Sequence, residues 1–201
     1  ISFLSGCTVL SMSCYSVGRS MLAGERQVSL STGTPLALGA AVGGLLGSRL
    51  FTFVKALFSN PNGVGAVQAV CLALVTAGTL VYTLNKSQIH TITVTSKAAC
   101  AAVGLALGCM SSFLGIGGGP INLVVMYYFF SMDTKTAAAN SLYVIFFGQL
   151  VSLVTTLATH SVPPFRPVVL ALMVAGGIGG GVLGRALNKK LSSKLVDQLF
   201  F

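Results

Sequence analysis

Charge is what this chain has least of. Only 7% of its 201 residues are charged, where a soluble domain carries about 25%, so a water-facing surface could not be covered with polar groups. Acids are scarcer still: Glu25, Asp133 and Asp197 stand against 12 Lys and Arg, for a net charge of +9. All three acids fall in or beside expected loops. A proton relay built on carboxylates at membrane depth is therefore disfavoured. Metal-spaced cysteines are missing as well. Cys7, Cys14, Cys71, Cys100 and Cys109 lie inside apolar segments with no CxxC pair, so they read as small hydrophobes rather than a disulfide framework or a metal site. Period-two alternation is also absent, which excludes a transmembrane β-barrel.

What the chain has is apolar length. Hydrophobic residues make up 54% and mean hydropathy is +0.88. A spanning helix needs roughly 20 apolar residues, so 201 residues suffice for about six crossings. The expectation is an all-α, polytopic transmembrane helix bundle. The first apolar segment runs from Ile1 to about Val17, without the basic start or small-residue cleavage site of a signal peptide. Arg19 to Gly33 reads as a polar connection. Further crossings are expected at Pro35 to Phe58, with Pro35 in the first turn, Val64 to Leu84, Ala137 to Ala158 and Val168 to Leu187. Asn60 to Gly63 reads as a turn, Asn85 to Ser96 as a polar loop, Ser131 to Thr136 as a short loop and Asn188 to Ser193 as a basic loop. Pro163, Pro164 and Pro167 interrupt helix between His160 and Pro167, and Lys194 to Phe201 looks like the start of another helix. This layout puts Arg19, Arg26, Lys86, Lys97 and Arg166 on one side. It puts Arg49, Lys55, Lys135, Arg185, Lys189, Lys190 and Lys194 on the other, which the positive-inside rule would make cytoplasmic. The basic excess fits anchoring to anionic headgroups; attraction of anionic substrates is the second reading.

The chain repeats itself. Gly39, Gly43, Gly44, Leu46, Gly47 and Leu50 match Gly176, Gly180, Gly181, Leu183, Gly184 and Leu187 at one offset. Small residues four apart let helix backbones approach in lipid, so both glycine rows are expected to pack. Two related halves are a common transporter plan, with substrate held between them. Residues 1–96 read as the remainder of a first repeat and 97–201 as a second, in a chain expected to be trimmed by about one helix at each end.

Lys97 to Phe130 is too long for one crossing. About 34 helical residues would span roughly 50 Å, against a hydrocarbon core of about 30 Å. Gly115-Ile116-Gly117-Gly118-Gly119-Pro120 supplies a break, because consecutive glycines and a proline disfavour helix. The expectation is a helix to about Leu114, an unwound turn, and a short helix from Pro120 to Phe130 capped by Gly119. Its free backbone N–H groups and positive dipole end would then lie inside the membrane, an arrangement that binds anions without a charged side chain. Gly115, Gly117, Gly118, Gly119, Pro120 and Ile121 are the candidate substrate-binding backbone. A packing kink or hinge without ligand is the other reading. A nucleotide loop is excluded, since Pro120-Ile121 replaces the required Gly-Lys-Ser/Thr. Asn122, Asn140, Ser141 and Gln149 are nearby side chains that could donate to an oxyanion or hold helices together. Gln68, Ser111 and Ser112 are weaker candidates, and His90 and His160 read as solvated loop residues.

Gly115 to Pro120, the Met132-Asp-Thr-Lys-Thr136 loop, Ala139-Asn140-Ser141-Leu142 and Gly184-Arg185-Ala186-Leu187 resemble the TauE/SafE sulfite exporter family, also called TSUP. The resemblance covers nearly the whole chain and is strongest from Leu107 to Leu187. It implies a multi-pass transporter of the bacterial plasma (inner) membrane with two homologous halves. Small sulfur-containing or organic anions would be its substrates: sulfite, thiosulfate or sulfonates. The family's first glycine turn has no counterpart here, so half of a two-turn site is expected. No catalytic residue, metal, cofactor or nucleic-acid partner is expected; the partners are a small anionic substrate and the lipid bilayer. A membrane thiol-redox or sulfur-relay protein using Cys7, Cys14 or Cys109, and a passive anion channel, are the rival readings.

Overall fold

The computed structural model describes residues 2–22, 30–57, 61–85, 90–114, 119–160 and 162–190. They form α1 (Ser2–Leu22), α2 (Leu30–Leu57), α3 (Pro61–Leu84), α4 (Lys97–Leu114), α5 (Gly119–Phe130), α6 (Thr134–Ala158) and α7 (Pro167–Lys190). Among the described residues there is no strand. Five helices, α2, α3, α4, α6 and α7, are long and apolar enough to cross a membrane. α1 has the length, at 21 residues, but Arg19 and six serines lower its hydropathy and it is not among the five. α5 has 12 residues, about 18 Å of helix, too short for a core of about 30 Å.

The bundle is sorted as lipid requires. Asn140 and Ser13 are fully buried, whereas Leu74, Val168, Leu172 and Leu183 are each about two-thirds exposed or more. Polar groups inside and large apolar groups outside suit a hydrocarbon solvent. The tightest packing is between α2 and α4. A Cβ at Gly39, Gly43 or Gly47 would fall on the carbonyl oxygen of Ala101, Leu105 or Cys109. Conversely, a Cβ at Gly104 or Gly108 would fall on that of Leu36 or Ala40. The interlock is reciprocal and in register, so the two helices run parallel with backbones in direct contact, the geometry in which small residues hold helices together in lipid.

The second glycine row behaves differently from expectation. Around Gly176, Gly180 and Gly184 an added Cβ would meet nothing within 4 Å. On α7 it is Gly177 and Gly181 that pack: a Cβ added there would lie 2.7 Å from Thr8 Cγ2 and 3.3 Å from Met12 Cγ of α1. The repeated spacing is the same, but the face in contact is rotated by one residue.

Several boundaries move. α1 continues through Arg19 to Leu22, and α2 starts at Leu30, so Gly33 lies inside it and Pro35 sits beyond the first turn. α6 starts at Thr134 rather than Ala137, because the Asp133 carboxylate accepts the Lys135 N–H at 3.2 Å and caps the helix. α7 carries through Asn188 to Lys190, where a basic loop was expected. The segment from Lys194 onward lies outside the described residues.

Helix directions follow from the contacts. α7 runs parallel to α1: Gly177 meets Thr8, Gly181 meets Met12, and the Arg185 guanidinium donates to the carbonyl of Ser16 at 3.3 Å and of Arg19 at 3.5 Å. Gly33, near the start of α2, meets Asn140 and Tyr143 near the start of α6. Ahead of α4, the N–H groups of Ile92 and Val94 donate to the carbonyls of Tyr128 and Phe129 at 2.7 and 2.9 Å. The chain thus returns, at the end of α5, to the place from which α4 departs. Ser131, with φ 51°, ends α5 there, and α6 begins on that same side. This re-entry changes the division of cations. Lys135, Arg185, Lys189 and Lys190 fall with Arg19 and Lys97, while Arg166 falls with Arg49 and Lys55.

Candidate functional site

A cavity of about 620 Å³ lies among α1, α2, α4, α5 and α6, within the range of small-molecule sites. Its walls follow from the packing just described. The α2–α4 contact brings Gly44 and Ser48 beside Ser111 and Ser112. α5 contributes its first turn, Gly119 and Asn122, and α6 contributes Gly148, Gln149, Ser152, Thr155 and Thr156. At Gly119 an added Cβ would meet nothing within 4 Å among the described residues, and Gly119 lines the cavity. Gly6 of α1 leaves room for the Gln149 side chain, whose Oε1 would lie 3.2 Å from a Cβ there.

Asn122 is the most constrained polar group. It is 2% exposed, and its Nδ2 donates to Ser141 Oγ at 3.4 Å. Its Oδ1 is buried and has no hydrogen-bond partner among the described residues. An amide atom left unpaired in this way costs roughly 1–3 kcal/mol. The two amide atoms can exchange places, since a serine hydroxyl both donates and accepts. Asn122 can therefore hold Ser141 with its oxygen and offer an N–H to a ligand.

The sequence candidates divide accordingly. Gly119, Asn122 and Gln149 line the cavity, and Ser141 stands behind Asn122, 5% exposed. Asn140 sits elsewhere. It donates to the Thr136 carbonyl at 2.8 Å and packs on Gly33 of α2. Ile121 is a core residue, 7% exposed. Pro120 lies in the first turn of α5. Gly115, Gly117 and Gly118 lie outside the described residues. Of the weaker candidates, Ser111 and Ser112 line the cavity, whereas Gln68 donates to the Phe113 carbonyl at 3.0 Å, satisfying one of the open carbonyls at the end of α4.

Sequence reading missed Ser5, Ser48, Ser152, Thr155 and Thr156. The signal was available on α6, where Gln149, Ser152 and Thr156 recur at helical spacing on one face of an apolar helix. Ser48, Thr155 and Thr156 donate to the carbonyls of Gly44, Val151 and Ser152 at 3.0, 2.8 and 2.9 Å. They turn oxygen lone pairs outward, which suits water more than an anion. The described lining residues carry no charge. Among the described residues no group of three His, Cys, Asp or Glu could hold a metal, and the five cysteines are free thiols.

The chain is a multi-pass helical membrane protein, and the described lining of its cavity is uncharged. The family model described as sulfite exporter TauE/SafE matches residues 3–201, and the chain belongs to this family of membrane transporters, which is not a family of enzymes. Neither the curated proteins nor the solved structures gave a match.

Proposed function

We propose that the chain is a secondary transporter that moves small sulfur-containing or organic anions, of the sulfite, thiosulfate or sulfonate class, across the bacterial plasma membrane. The observation that carries this reading is Asn122, a buried amide with one atom unpaired among the described residues, in the first turn of a short helix beside the cavity. The N–H groups opening α5 and the positive end of its dipole attract an anion without a formal charge. The backbone N–H groups of Gly115, Gly117, Gly118, Gly119 and Ile121 would be the donors; Pro120 has none and would open the short helix. Asn122, with Ser141 behind it, and Gln149 would supply side chains, and Asn140 would fix α6 against α2. Parallel packing of α1 with α7, antiparallel to α6, supports a construction from two related halves, 1–96 and 97–201, between which a substrate could be exchanged.

The test is flux into liposomes holding the purified protein, with sulfite, thiosulfate, a sulfonate and a carboxylate in turn. Saturable uptake above protein-free liposomes is expected for at least one sulfur anion; non-saturating flux would instead indicate a channel. Replacing all five cysteines with Ala or Ser should leave the flux in place. If it vanishes while the protein stays folded, a thiol-redox or sulfur-relay role is the better account.

A further inference from the structure

The wall of the cavity is neutral throughout its described part, and this restricts what an anion can gain there. Its polar groups are the hydroxyls of five serines and two threonines and the amides of Asn122 and Gln149. None of the described lining residues titrates, so the wall cannot acquire a compensating proton. Cys7, Cys109 and Tyr143 lie on the same helices but outside the lining, and the Tyr143 hydroxyl is 3.4 Å from that of Thr34. Arg49 follows Ser48 within α2 and is exposed, outside the lining. Toward Asn122, 2% exposed, an ion must give up much of its water.

We propose that this cavity selects by valence, admitting monoanions and excluding dianions. The inference rests on the transport reading above and names the charge state its site takes. The self-energy of an ion grows with the square of its charge, so transfer to a low-dielectric site costs a dianion about four times what it costs a monoanion of equal size. The compensation on offer is about half an elementary charge at the N-terminus of α5, together with its N–H groups and one amide. That suffices for one negative charge and leaves a second uncovered. A sulfur oxyanion would then enter in its singly ionised form, as hydrogensulfite or a sulfonate. Sulfite, thiosulfate and sulfate dianions would be left outside, which narrows the class proposed above to its monoanions.

The experiment compares probes of fixed and variable valence in the same proteoliposomes. Methanesulfonate stays a monoanion across the range, sulfate stays a dianion, and sulfite changes valence near neutrality. Sulfate flux is expected at least about tenfold below methanesulfonate flux, a difference of roughly 1.4 kcal/mol. At constant total sulfite, flux should fall about tenfold per pH unit above the second ionisation, while methanesulfonate flux stays level. Gln149→Lys, which adds a cation to the wall, should raise sulfate relative to methanesulfonate. Sulfate carried as fast as methanesulfonate, or sulfite flux that ignores pH, overturns the valence filter and leaves the transport reading standing. Absence of flux for every anion overturns the transport reading itself.

Discussion

Asn122 shows how a single residue separates a binding role from a packing role. As interhelical glue, its amide would be worth about 0.6–2 kcal/mol through Ser141, and replacing it would weaken the fold. As a ligand group it carries a buried atom with no hydrogen-bond partner among the described residues, so an apolar residue of similar size should be tolerated or even stabilising. Asn122→Leu is therefore expected to leave the thermal unfolding midpoint in detergent unchanged or raised. Flux should fall about 10- to 100-fold, the loss of one hydrogen bond to a charged group at roughly 1.5–3 kcal/mol. Lower stability with unchanged flux would make Asn122 a packing residue. The candidacy of Asn122 was legible, because it stands two residues after Pro120 in the sequence. Its pairing with Ser141 and separation from Asn140 were not. Asn140 and Ser141 are adjacent on α6, and only the position of α2 turns one of them toward Gly33.

At the scale of elements, glycine spacing announces a contact but not its partner. The four-residue period of Gly39, Gly43 and Gly47 was readable; that α4 fills it, with Gly104 and Gly108 answering, was not, because the match depends on the register of two non-consecutive helices. On α7 the same period pointed to the wrong face. Two substitutions at repeat-equivalent positions make the distinction measurable. Gly43→Ala places a methyl group on the Leu105 carbonyl, and backbone cannot yield as a side-chain tip does. A loss of about 1–3 kcal/mol, the range for overpacking, should appear as a lower unfolding midpoint. Gly180→Ala meets open space and gains helix propensity of up to about 1 kcal/mol, so its midpoint should hold or rise. Equal losses at both positions would mean that the α7 face is occupied in the membrane. Caps were partly legible too. The Asp133-Thr134-Lys135 stretch read as loop, although an Asp ahead of an apolar run is a start signal for helix.

For the whole molecule, the α4–α5 pair decides how the chain is laid through the bilayer. The composition had already placed it in lipid, and the length of Lys97 to Phe130 required an interruption. Length alone could not say whether the chain continues across after the interruption or comes back. The hydrogen bonds from Ile92 and Val94 to Tyr128 and Phe129 bring it back. The bias of cations sharpens as a result: Arg19, Lys97, Lys135, Arg185, Lys189 and Lys190 on one side face Arg49, Lys55 and Arg166 on the other. The positive-inside rule then predicts that the first side is cytoplasmic, and that the helix pair bordering the cavity enters from there. Single cysteines in a background without the native five test this directly. Thr95→Cys, ahead of α4, and Met132→Cys, after α5, should both resist a membrane-impermeant maleimide in intact cells and react once the membrane is opened. Pro164→Cys, between α6 and α7, should react from outside. A chain that instead crossed at α5 would place positions 95 and 132 on opposite faces, and Met132→Cys and Pro164→Cys would then both change their labelling. The re-entry, and with it the cytoplasmic approach to Asn122, depends on the cysteines at positions 95 and 132 behaving alike.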